Sequence, residues 1–537
     1  MRLLRLALFM LPLIALRVSA ADILPADKPL AEVVDHYVDE RLTRSGTKPS
    51  DQIDDFNLIR RLTLDLVGRI PAPSETQAFV ESKDPKKREQ LVDRLMASSA
   101  FVRHQANQFD AMLAGPNGKP GALRDYLVKA LGDNRPWNQI FKELLLPDDN
   151  DPKTKGSGEF LKTRITDLDR VTNEVSVAFF GVNVSCAQCH DHPLVNDWKQ
   201  DHFYGMKSFF APSFDNGGFL AERNFTTVKF KPTKGAEKTA KMMFLTGSAI
   251  EAGTKEPSKD DEKKERELFE KLKKEKKAPP PPSFSARAKL VEVALQSKES
   301  EFFSKSIANR LWHRFLGFGL VNPLDQMHSE NKPSHPELLA WMARDVAANK
   351  YDLRKTIRGI VLSKTYSRST KWTGETVPAP SLFAVARLKP LTPGQMATSL
   401  KIATTDPAQF ENVKPEELEK RLESLENNAR GLASSFAQPT DDFQIGVNEA
   451  LLFSNSDRII KDLLVEGNDR LLTKAKSQAD PAKAVELIVR TVLSRPATSD
   501  EIKALAEYVG RRNDRQIEAY RQVVWALVSG AEFRFNY

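Results

Sequence analysis

Apolar positions recur along most of this chain at the spacing of amphipathic helices. Residues 30–42 predict a first short helix. Within 52–114, Leu58, Ile59, Leu62, Leu64 and Leu66 share one face of a helix, and Arg60 and Arg61 fall on the other. Gly68 stops that helix, Pro71 and Pro73 turn the chain, and Ser74 is placed to cap the next. Leu91, Val92, Leu95 and Met96 continue the period. A helix pair follows over 122–146, broken at Arg135-Pro136-Trp137, and the turn formers of 148–158 predict a loop. Residues 168–180 read as a helix that Gly181 closes, and 203–210 as a buried aromatic stretch.

Over 211–250 the helical rhythm fails. Residues 225–230 and 242–246 read as short strands of a small hairpin or sheet. A dense mixed-charge run over 255–277, ending in the prolines of 279–282, predicts a solvated helix and a stiff linker. Helical patterns resume at 302–316, ended by Gly317, and at 337–348, where Ser334 and Glu337 have capping-box spacing. They continue at 353–363, 393–402, 415–433, 449–465, 481–494, 499–511 and 516–529. The expected fold is mainly α, a multi-helix, two-module protein with a small β hairpin or sheet near 211–250. The expected boundaries are a leader over 1–20, one module over 30–250, a charged and proline-rich linker over 251–283, and a helical module over 284–537.

The leader changes the picture of where the chain works. Arg2 and Arg5 open it, residues 6–16 are apolar, and Val18-Ser19-Ala20 offers a cleavage site, the pattern of a secretory signal. Pro12 and Arg17 make the run too short and interrupted for a stable span. The expected location is periplasmic or secreted, with no membrane span left after cleavage. The net charge of +8 over 537 residues falls to +5 without the three arginines of the leader. That is mild, does not indicate a nucleic-acid binder, and leaves room for a weak affinity for acidic glycans. No nucleophile elbow, phosphate loop, dinucleotide fingerprint or H-E-x-x-H motif is present.

The candidate chemistry lies at Cys186-Ala187-Gln188-Cys189-His190, which holds both cysteines of the chain. C-x-x-C-H is the spacing that attaches c-type haem, with two thioethers and the following histidine on the iron. The same thiols, with two of His190, His192 and His202, also make a Cys2His2 set suited to zinc or another transition metal. A disulfide or thiol pair without any cofactor is the third reading. The motif is expected on a turn over a helical core, both sulfurs facing one cavity. His192 lies too near His190 to cross to the other face of a haem, so Met206 and His202 are the nearest downstream candidates for a second axial ligand. His313 is expected to be packed or hydrogen-bonded, His335 to cap a helix start, and Asn309 with Arg310 to join a polar network between modules.

Several long motifs resemble planctomycete cytochrome-like secreted proteins. These pair a planctomycete cytochrome module with a planctomycete-specific domain, the domains of unknown function numbered fifteen forty-nine and fifteen fifty-three. The first module is carried by the stretch from Leu58 to Gly68, by the motif from Cys186 through Asp191, His192 and Pro193, and by Trp198, Gln200, Tyr204, Gly205, Phe209 and Phe210. The second is carried by Asn309-Arg310-Leu311-Trp312-His313, by Gly317, Gly319, Leu320 and Val321, and by Pro323, Asp325, the stretch from Pro333 to Leu339, Thr365 and Tyr366. His202 stands where the family has an acidic residue. The resemblance implies an exported haem-c redox or electron-transfer protein, served by a secreted redox partner. The company its relatives keep implies sulfatase-like neighbours and a tie to polysaccharide breakdown. A metal-dependent enzyme and a non-catalytic scaffold for secreted partners are the alternatives.

Overall fold

The computed structural model describes residues 23–115, 118, 120–148, 150–251, 256–296, 299–439 and 457–537. The leader over 1–20 lies outside them, as does the first half of the helix expected over 449–465. The described chain is mainly α with four two-stranded antiparallel sheets. Its first helices are α1 (Leu30–Ser45), α2 (Asp55–Val67), α3 (Pro73–Glu81), α4 (Lys87–Ala97), α5 (Ser99–Ala114), α6 (Arg124–Gly132), α7 (Trp137–Leu145), α8 (Glu159–Lys162), α9 (Leu168–Val175) and α10 (Gln200–Lys207). The irregular region holds β1 (Ser213–Asp215) paired with β2 (Leu220–Glu222), β3 (Lys229–Phe230) with β4 (Lys238–Thr239), and β5 (Met242–Met243) with β6 (Ala249–Ile250). The charged run forms α11 (Lys259–Glu275). It is solvated but not detached. Phe269 is buried edge-on against Phe214 at 5.1 Å, and the Phe269 carbonyl accepts from Asn216 Nδ2 at 3.2 Å.

Next come α12 (Ala286–Ala294), α13 (Glu301–Leu316), α14 (Pro336–Ala348), α15 (Leu353–Leu362), α16 (Pro393–Ala403) and α17 (Pro415–Ala433). The described end of the chain adds helices at Asp457–Asp462, Leu471–Lys476, Pro481–Leu493, Ser499–Gly510 and Gln516–Ser529. One apolar core extends from Leu30 to Ala384 and so crosses the charged run. A second gathers Leu64, Ile70 and Ala72 with residues between Leu391 and Phe533. No described helix is long and apolar enough to cross a membrane.

Three local expectations need correction. Arg60 and Arg61 do not face solvent; they are 2% and 4% exposed. The end of the chain returns over them, β7 (Lys389–Pro390) pairing with β8 (Phe535–Asn536). Arg60 donates to the Phe533 and Glu532 carbonyls at 2.9 and 3.2 Å. Arg61 donates to the carbonyls of Tyr366, Arg368 and Tyr537 at 2.5, 2.9 and 2.9 Å. Carbonyls take up only part of each fork, since Arg60 Nε and Nη1 and Arg61 Nη2 have no partner, and the Phe533, Tyr537 and Tyr366 rings cover the guanidiniums; none of these partners is visible to a local helical period. Ser74 does not cap α3. Pro73 occupies the first turn, Ala72 is the cap residue, and the Glu75 carboxylate accepts from Ala72 N at 2.9 Å. Ser334 does not cap α14 either: Pro336 starts the helix and His335 holds the cap position as expected, but the His335 side chain makes no capping bond and meets Ser334 Oγ at 3.0 Å instead.

Asp65 of α2 is the polar centre that ties the ends together. Its carboxylate accepts from Tyr366 Oη at 2.8 Å, Asn536 Nδ2 at 2.8 Å and Lys389 Nζ at 2.7 Å. Lys389 also donates to the Phe315 and Arg314 carbonyls at 3.1 and 3.3 Å, so one ammonium satisfies the exposed carbonyls at the end of α13.

Candidate functional site

The cysteine motif is positioned by the end of α9. Asp167 opens that helix, its carboxylate accepting from Asp169 N and Arg170 N at 3.1 and 3.0 Å. The helix widens into a π-helical turn over Ser176–Phe180, and Gly181 closes it at φ +67°. A Cβ at Gly181 would lie 3.0 Å from Met327 Sδ and 3.1 Å from the Leu324 carbonyl, so the position needs glycine for both conformation and space. The chain then makes a 3₁₀ turn over Ser185–Gln188. Cys186 lies within that turn and Cys189 is the residue that follows it, three positions on. Ala187 is fully buried beneath them, and Val184, Val195 and Trp198 are buried around it. Both thiols are free and exposed. The expected cavity in front of them is therefore a surface, because the inward positions of the turn belong to the alanine and valine.

Polar contacts fix this loop from several sides. Val184 N donates to Asn173 Oδ1 at 2.9 Å. The Gln188 carbonyl accepts from Tyr204 Oη at 3.1 Å, and Gln188 Nε2 donates to Asp169 at 2.8 Å. The Cys189 carbonyl accepts from Thr233 Oγ1 at 3.3 Å. Tyr204 stacks on Phe230 at 4.0 Å and 11°, and its phenol pKa is raised by burial and then by the negative charge of Asp169. Leu194, 82% exposed, lies four residues beyond His190 on the same loop.

The histidines differ in what they offer. His190 is exposed, and its Nδ1 lies 2.7 Å from the Asp191 carbonyl. A carbonyl only accepts, so Nδ1 carries the proton and Nε2 presents its lone pair outward. His192 Nδ1 accepts from Leu194 N at 3.3 Å, and His202 Nδ1 accepts from Lys199 N at 3.2 Å. In their neutral forms both carry the proton on Nε2. His202 sits in the first turn of α10, edge-on to Trp198 at 5.9 Å. Burial lowers the pKa of His192 most, followed by the positive charges of His328 and then His190. Met206 is fully buried in the core. Among the described residues, no three His, Cys, Asp or Glu side chains converge to hold a metal ion.

His328 has no motif around it, and only the fold reveals it. Residues 325–329 lie against both arms of the cysteine loop, the one that enters it and the one that leaves it. Asn183 N donates to the Asp325 carbonyl at 2.8 Å, and Met327 N to the Gly181 carbonyl at 3.0 Å. Asp197 accepts from Ser329 N and Oγ at 2.7 and 2.8 Å. Arg310 donates to the Val177 carbonyl in the π-helical turn. Asn309, fully buried, closes the base of the same loop through Val321 N and O at 3.0 and 2.8 Å. Of the polar network expected of Asn309 and Arg310 between the modules, only the Arg310 bond to Val177 crosses; Asn309 stays within its own module. His313 is half-buried in α13, and His335 is buried against Phe383 at 5.4 Å.

The donor set fits a covalently attached haem in its chemistry: two accessible thiols three positions apart, and an imidazole whose Nδ1 is held by a carbonyl, leaving Nε2 free. A separate cavity of 1120 Å³ lies away from the motif, between α3–α5 and α16–α17. Arg69, Glu75, Arg94, Arg103, Glu423 and Glu426 line it, and these charges are already paired across it. Nothing local in the sequence marks this cavity.

Two family models match the chain. One is PSCyt2, a protein of unknown function (DUF1549), over residues 33–214. The other is PSD1, a protein of unknown function (DUF1553), over residues 286–438. Neither a curated protein nor a solved structure matches. The first match contains the cysteine loop and the second contains His328, with the two brought together through Asp325, Met327 and Ser329. The chain thus carries both of these domains of unknown function, one over 33–214 and the other over 286–438.

Proposed function

We propose that this chain is an exported haem-c-type redox or electron-transfer protein, working in the periplasm or outside the cell with a secreted redox partner. The observation that carries the reading is the pairing of two free, exposed thiols three positions apart at one short turn, with His190 directly after them. Thiols in this arrangement are open to a planar macrocycle arriving from solvent, as attachment after export requires. Cys186 and Cys189 would make the thioethers, and His190 would ligate the iron through Nε2. When bound, the haem supplies one-electron exchange.

The chain's own residues supply the rest. The Asp191 carbonyl fixes the His190 tautomer by accepting from Nδ1. Such a contact orients a metal-ligating imidazole and raises its basicity. Tyr204 and Phe230 form an aromatic wall beside Cys189, and Leu194 offers an apolar contact on the solvent side. The exposure of the motif suits direct docking of a redox partner. The mild positive charge is compatible with acidic glycans as neighbours and with a role in polysaccharide breakdown.

The test is expression in a host with working haem-attachment machinery. The expected result is a coloured protein with a Soret band and covalent haem stain, both lost in Cys186→Ala/Cys189→Ala. A colourless protein refutes the reading. If chelators then lower its stability, the cluster is a zinc or transition-metal site. If only reductant matters, and modestly, the cysteines form a disulfide.

A further inference from the structure

We propose that His328, from the second module, is the second axial ligand of the group attached through Cys186, Cys189 and His190. The inference rests on the haem reading above and extends it across the junction between the modules.

Two axial ligands approach an iron from opposite faces, so the second one usually comes from a different segment of chain than the C-x-x-C-H turn. The fold delivers one such segment to this loop. Asp325 and Met327 are hydrogen-bonded to Asn183 and Gly181 at 2.8 and 3.0 Å, and Ser329 is bonded to Asp197 at 2.7 Å. His328 is thus anchored on both sides by residues that touch the stretch carrying the cysteines. Gly181 permits this close approach, since any side chain there would meet Met327 and Leu324. His328 Nδ1 is buried and has no hydrogen-bond partner. No protein group fixes the tautomer through that enclosed nitrogen, so Nε2 is the nitrogen that a ligand can reach. The nearer candidates are committed elsewhere. His192 and His202 each use Nδ1 to accept a backbone N–H, which puts the proton on Nε2. Met206 is fully packed in the core.

A group ligated by His190 on one face and His328 on the other would clasp the cysteine loop to the second module. The second module then completes the redox centre, which gives a physical reason for the two to occur in one chain.

The experiment compares wild type, His328→Ala, His328→Met and a control, His202→Ala, each expressed in full length with haem-attachment machinery. The readouts are covalent haem content, optical and EPR spin state, and melting temperature. The expected wild type is low-spin. His328→Ala should keep its covalent haem, because both thioethers are untouched, and should become high-spin. Added imidazole should restore the low-spin spectrum, and only a folded variant with an open axial position can show that rescue. His328→Met should stay low-spin with a raised reduction potential, since a thioether replaces an imidazole. His202→Ala should match wild type. A His328→Ala protein that stains for haem and keeps an unchanged low-spin spectrum overturns this inference alone. A wild type without covalent haem overturns it together with the reading beneath it.

Discussion

Removing the charge of Asp65 tests whether α2 is held by one polar centre. Asp65 is 8% exposed and accepts from Tyr366, Asn536 and Lys389 within 3.0 Å. Asp65→Asn keeps the shape and one acceptor but leaves the Lys389 ammonium with only the Arg314 and Phe315 carbonyls. Burial already lowers the Lys389 pKa, and Asp65 is the main influence raising it. Breaking a buried pair by removing one partner costs about 3–5 kcal/mol. The Lys389 side chain is 21% exposed and keeps two carbonyls, so the lower end applies, about 3 kcal/mol. Lys389→Met alone should cost about 2 kcal/mol, because it strands the carboxylate but leaves Tyr366 and Asn536 on it. The double variant should cost about 2 kcal/mol rather than the sum, a coupling of about 3 kcal/mol. Urea unfolding followed by far-UV circular dichroism and tryptophan fluorescence reads these values, provided the slopes agree. An Asp65→Asn cost below about 1 kcal/mol, or additivity in the double variant, would refute the reasoning.

The remaining predictions concern acid and one glycine. His104 is held at about 3 by burial and then by the positive charge of Arg314, and His335 at about 4 by burial and then by Arg41 and Arg368, against an ordinary 6.5. The folded chain binds fewer protons than the unfolded one over that interval. Stability is therefore complete above about pH 6.5 and falls as the pH drops toward 4 and then 3. Burial would raise Glu75, but the charge and hydrogen bond of Arg69, with Arg94 and the Ala72 N–H, outweigh it and bring the carboxyl from 4.5 to about 2. Its contribution is present above pH 4.5 and lost as the pH falls through 2, so the decline should steepen below 4.5. Melting temperatures from pH 8 to 3 check this, and a flat profile between 6.5 and 4 contradicts it. Gly68→Ala should destabilise by about 2–4 kcal/mol, since φ is +74° and the new Cβ meets His104 Nδ1 at 2.4 Å. A cost under about 1 kcal/mol would mean that the His104 ring moves aside freely.

The helices were legible where the information is local. Residues 415–433 and 516–529 form helices with the expected bounds, because apolar period, proline and polar caps all act within a turn or two. Errors arose where a proline or a distant segment intervened. Pro73 and Pro336 both lie in the first turn of their helices, which moves each start ahead of the serine or glutamate expected to control it. Arg60 and Arg61 look solvent-facing because their carbonyl partners at Glu532, Phe533 and Tyr537 are more than 470 positions away. A buried arginine and an exposed one have the same local signature. The difference lies in whether the chain's end returns, and β7–β8 pairing brings it back.

The site divides along the same line. Cys186, Cys189 and His190 lie within five residues, and the short turn keeps them close in space as their spacing implies. Their exposure could not be read, because Ala187 and Val184 take the inward positions only once Trp198 and Val195 pack beneath. His328 lies 138 positions beyond His190. Neither periodicity nor spacing within its own loop distinguishes it from a surface histidine. The signal that could have found it is Gly181. A glycine at a helix end explains itself by the turn it makes, yet Met327 and Leu324 press on the same atom. Asp325, Met327 and Ser329 then fix where the next ring must lie. A glycine required twice, for its own turn and for a neighbour's approach, marks where two modules meet. Beside that junction stand the two free thiols and the histidine that follows them.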